Sequence, residues 1–142
     1  MDANTIELLK ECNKGSKMAI ASIEQLLEKI QSTDFAKLVK EYDKEHKEIE
    51  AETTKLLKEC GEEESEPGVM ISTFSYLSTE IKTMVHDDKK IAKLLMDGCN
   101  MGIQSVSKYL NKYTESADDS VKVARKLIKI EQHFMESVKE YL

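Results

Sequence analysis

Apolar side chains recur at steps of three and four along most of the chain, a spacing that places them on one face of a helix. From about Asn4 to Ile30 the positions are Leu8, Cys12, Gly15, Ala19, Ile23, Leu26 and Ile30. A second stripe takes Phe35, Leu38, Val39, Tyr42, His46, Ile49, Thr53 and Leu56. A third, from about Val69 to Val85, holds Phe74, Leu77, Ile81 and Met84. Two more helical stretches follow, about Lys89 to Tyr113 and Ala117 to Leu142. Nothing alternates as a half-buried strand would. With one proline and five glycines in 142 residues, little interrupts these helices. The spacing predicts an all-α fold in a single domain.

The breaks carry their own chemistry. Asn4 with Glu7 three residues on reads as a capping box, and Ser32 or Thr33 as the cap of the second helix. Cys60-Gly61 ends that helix, since glycine accepts the left-handed conformation that follows a helix. GEEESEPG is an acidic linker with the sole proline. Running the third stretch straight into the fourth would make a 45-residue helix from Val69 to Tyr113, far beyond the common length. A cap at Asp87 or Asp88 is expected instead, and TESADD forms the last capped turn.

The first stripe is repeated. Shifted by 87 residues, Leu8, Cys12, Gly15, Ala19, Ile23 and Leu26 fall on Leu95, Cys99, Gly102, Val106, Leu110 and Tyr113. The second stripe matches the fifth after a shift of 89, with Phe35, Leu38, Val39, Ile49 and Thr53 on Ala124, Leu127, Ile128, Val138 and Leu142. The chain therefore reads as two copies of a helical hairpin, 4–61 and 87–142, around a crossover linker and helix at 62–86. His46 and His133 are also 87 apart, but at the hairpin register His46 corresponds to Met135, and the two histidines are not equivalent. The Asn13-x-Gly15 and Asn100-x-Gly102 pairs read as places where helices approach closely.

Two matched hairpins, the crossover, and the phrases LLKECNKG and LVKEYDKEHKEI resemble the ferritin-like superfamily, closest to small bacterial four-helix-bundle proteins of unknown function within it. The resemblance implies a four-helix bundle with a crossover and, in metal-binding members, a carboxylate-bridged pair of metals. That site takes a Glu from the first helix of each hairpin and a Glu-x-x-His from the second. This chain departs from the pattern. The first hairpin offers Asp43-x-x-His46, with Glu24 or Glu11 before it; the second places only Glu131 on its stripe, with Asp97 on the helix before. A site for iron or another divalent metal built from Glu24, Asp43, His46 and Glu131 is therefore the alternative, and a non-enzymatic bundle with a structural or protein-interaction role is the expectation. A buried Glu131 without metal would take up a proton or find a partner such as His46.

Other function classes recede. A net charge of −6 repels phosphate backbones and anionic bilayers, and no apolar run approaches the roughly 20 residues that span a membrane. The start, MDANTIELLK, has no apolar signal core, so a cytoplasmic protein is expected, with a protein partner or a second copy of itself. Cys12, Cys60 and Cys99 form no C-x-x-C pair and read as reduced thiols, with Cys12 and Cys99 buried among apolar residues and too far apart to be bridged. No nucleophile–base set, phosphate loop or nucleotide fingerprint is present, so no cofactor is expected.

Overall fold

A computed structural model describes residues 3–62, 87–113 and 118–142, and there the chain is entirely helical. The helices are α1 (Ala3–Leu27), α2 (Thr33–Glu59), α3 (Asp88–Lys112) and α4 (Asp118–Val138), with a 3₁₀ turn at Lys139–Tyr141. The proposed linker and crossover helix lie outside the described residues. None of the described helices is long and apolar enough to cross a membrane.

Local signals set most boundaries. Ser32 caps α2, its side chain accepting from Phe35 N–H at 3.2 Å. At the far end Cys60 closes the last turn and Gly61 takes φ +75°, the left-handed conformation expected of it. α1 already includes Ala3, so Asn4 sits inside the helix rather than capping it.

Of the two candidate caps for α3, Asp87 is the one used: its carboxylate accepts from Lys89 and Lys90 N–H. Asp88 has a different partner. Its two oxygens accept from the backbone N–H groups of Gln31 and Ser32 at 2.9 and 2.8 Å, binding the start of α3 to the α1–α2 turn. Consequently α3 runs down beside α1 in the opposite sense. Glu62, just past α2, pairs with Lys10 near the start of α1 at 3.4 Å. Residues 62 and 87 thus lie at opposite ends of the bundle.

The core is the apolar stripe of each helix: Leu8, Cys12, Ile23 and Leu26 from α1; Phe35, Val39 and Ile49 from α2; Ile91, Leu95, Cys99 and Val106 from α3; Val123, Leu127, Phe134 and Val138 from α4. Phe35 also stacks on Tyr141 at 4.5 Å, fastening the end of the chain over the start of α2. α1 buries a wider face than its stripe predicts, because Asn13 and Ser16 are also shielded. Asn13 Nδ2 donates to the Thr53 and Thr54 hydroxyls, each at 3.0 Å, and so bonds α1 to α2. Asn100, its counterpart in the repeat, is exposed. The glycines do not mark close approach as expected: a Cβ built at Gly15 meets nothing within 4 Å.

Candidate functional site

Four side chains from three helices meet in the centre of the bundle. Tyr42 and His46 stand one turn apart on α2, Cys99 on α3 and Glu131 on α4, and all are buried. Helical spacing explains the first pair, since residues four apart share a face. Their mutual packing is tight: the Tyr42 ring stacks on Phe134 at 3.8 Å and meets the His46 ring edge-on at 4.2 Å.

Glu131 is the hub. Its Oε1 bonds His46 Nε2, and its Oε2 accepts from Tyr42 Oη at 2.5 Å. The Tyr42 hydroxyl also lies 3.2 Å from Cys99 Sγ. His46 Nδ1 faces the Tyr42 carbonyl oxygen at 2.9 Å. Both imidazole nitrogens therefore point at oxygen acceptors, and both bonds form together when the ring carries two protons and Glu131 is ionised.

The electrostatics agree with that assignment. Burial pulls the His46 pKa down, but the hydrogen bond to Glu131, its charge and the Tyr42 carbonyl outweigh it, leaving the value raised above 6.5. Tyr42 is held well above its usual value by burial first and then by the Glu131 charge, so it stays a phenol and a donor. Burial, reinforced by Glu131, likewise raises the Cys99 thiol. Cys12 is pushed up to about 12 by burial and by Glu11. Neither thiol is a nucleophile at neutral pH.

The four residues proposed as metal ligands divide into two groups. Glu131 and His46 form the buried ion pair just described. Asp43 and Glu24 share Lys47 instead, at 2.9 and 3.3 Å from its Nζ, and Glu24 is exposed. Asp43 Oδ1 is buried without a hydrogen-bond partner among the described residues. Among those residues, no three His, Cys, Asp or Glu side chains gather as a metal-binding group. His133, set aside as not equivalent to His46, is exposed on α4.

No family model, curated protein or solved structure matches the chain.

The cluster has two members that inspection of the stripes passes over, Tyr42 and Cys99, both assigned there to the apolar face. A signal for one of them existed. Tyr42 and Glu131 are 89 residues apart, the register that relates the second stripe to the fifth, so the tyrosine occupies the place of the glutamate in the other hairpin.

Above this cluster a space opens between α1 and α3. The gap is a cleft of about 400 Å³ whose walls include Gly15 and Ala19 of α1 and Gly98 and Gly102 of α3. Tyr42, Leu127 and Glu131 reach into it from below. A Cβ built at Gly102 would lie 3.7 Å from Glu131 Cδ and 3.9 Å from Oε2, in ordinary contact with the carboxylate. Across the gap the Ser105 hydroxyl bonds the Glu11 carboxylate, tying the two helices together.

Proposed function

We propose that the chain is a non-enzymatic ferritin-like bundle, acting through protein contacts or as a homo-oligomer, whose central polar cluster is a structural contact. The observation that carries this reading is the occupation of Glu131, with the His46 ring on one oxygen and the Tyr42 hydroxyl on the other. A metal ligand must offer lone pairs, and both His46 ring nitrogens already face oxygen acceptors, Glu131 Oε1 and the Tyr42 carbonyl. The antiparallel placement of α1 and α3 supports the paired-hairpin layout, as does the need for residues 63–86 to join opposite ends of the bundle. A helix over about Val69–Val85 would rise roughly 25 Å, and the acidic linker before it would supply the rest of that span.

The second reading, a partial iron or other divalent-metal site at Asp43, His46, Glu24 and Glu131, is favoured by one observation. Asp43 Oδ1 is a buried carboxylate oxygen with an unused acceptor. Anaerobic titration of the purified, untagged protein with Fe(II), followed by elemental analysis, separates the two. The structural reading expects no stoichiometric iron and no change in melting temperature. Two irons per chain, lost when His46 and Glu131 are both replaced by alanine in a still-helical protein, would sink it.

A further inference from the structure

The cleft between α1 and α3 combines apolar walls with a single buried carboxylate at its base, and the structural role of the ion pair does not account for it. The geometry points to a binding site for a compact apolar molecule that carries an ammonium group. Its volume of about 400 Å³ lies in the range of small-molecule pockets. Met18 and Met101 stand among its lining, and their unbranched thioether chains adapt to irregular apolar shapes.

The choice of an ammonium follows from the groups that face the space. Glu131 accepts from His46 and Tyr42, with the Cys99 thiol also bonding it, and its two oxygens together offer about four lone pairs. Glu131 is among the residues that line the cleft, and Gly102 beside it carries no side chain. Glu11 and Asp97 also line the cleft, against one cation, Lys14. His46 lies behind Glu131 and is not part of the lining. Asp97 is paired with Lys93 at 2.9 Å and Glu11 is bonded by Ser105, so the group that decides is Glu131. An entering N–H donor would meet a carboxylate acceptor at the end of an apolar slot, and an entering anion would meet that same carboxylate. The contact is charge-assisted, the strong kind of hydrogen bond.

The probe is 2-naphthylmethylammonium, compared with 2-naphthylmethanol and 2-naphthoate. Their fluorescence is easily followed because the chain has no tryptophan. The ammonium is expected to bind about tenfold more tightly than the alcohol, and the carboxylate more weakly than either. Gly15→Leu puts a side chain into open space in the α1 wall. It should weaken binding of the ammonium by at least about tenfold while circular dichroism and the unfolding midpoint stay those of a folded protein. Glu131→Gln, if folded, should bring ammonium and alcohol to within about twofold of each other. Three results would each overturn the site: no probe binding, the carboxylate binding as well as the ammonium, or undiminished binding by folded Gly15→Leu.

Discussion

Glu131 and His46 show why a buried polar pair must be judged by its removal. Each is a titratable group shielded from water, and each keeps its hydrogen-bond partner only while the other is present. Glu131→Ala should cost about 3–5 kcal/mol in chemical denaturation, because an uncompensated imidazole and the Tyr42 hydroxyl remain. Replacing both as Glu131→Met with His46→Leu should restore most of that loss. The pair also has a pH signature. The folded protein binds the His46 proton more tightly than the unfolded chain does, so the stabilisation is complete below pH 6.5 and is lost as pH rises through the higher folded value. The double variant should show no such fall in that window. Sequence inspection placed Glu131 on the buried face and named His46 as its partner, because a lone carboxylate on an apolar stripe demands one. It could not find Asn13 on α1, since whether an asparagine is buried depends on Thr53 and Thr54 of another helix.

At the scale of the element, the caps were the most legible features. Ser32, Gly61 and Asp87 act on backbone groups within a few residues, so spacing narrows the caps to Ser32 or Thr33 and Asp87 or Asp88, and singles out Gly61. Ser32→Ala should lower stability by about 1 kcal/mol, read from a urea transition with unchanged slope. The glycines were less legible. Gly15 and Gly102 share a face with apolar residues, and a glycine there fits a tight crossing as well as a gap. Only the separation of α1 from α3, fixed by what packs elsewhere, decides between them. Gly15 and Gly102 line a cleft that Glu131 also lines.

For the whole molecule, the long-range contact between the α1–α2 turn and Asp88 determines how the halves must come together. The two helices of each hairpin are only a few residues apart in sequence, whereas Gln31 and Asp88 are separated by 57 positions. Bringing such distant residues together carries a loop entropy that short turns avoid. The hairpins should therefore gain structure early and the Asp88 clamp should engage late, after the rate-limiting step. Asp88→Ala should then accelerate unfolding in stopped-flow measurements and leave the refolding rate nearly unchanged. A matching slowdown in refolding would mean that the clamp forms first and guides assembly. In the former case Asp88 governs how long the assembled bundle lasts, and the rate of its formation belongs to the hairpins.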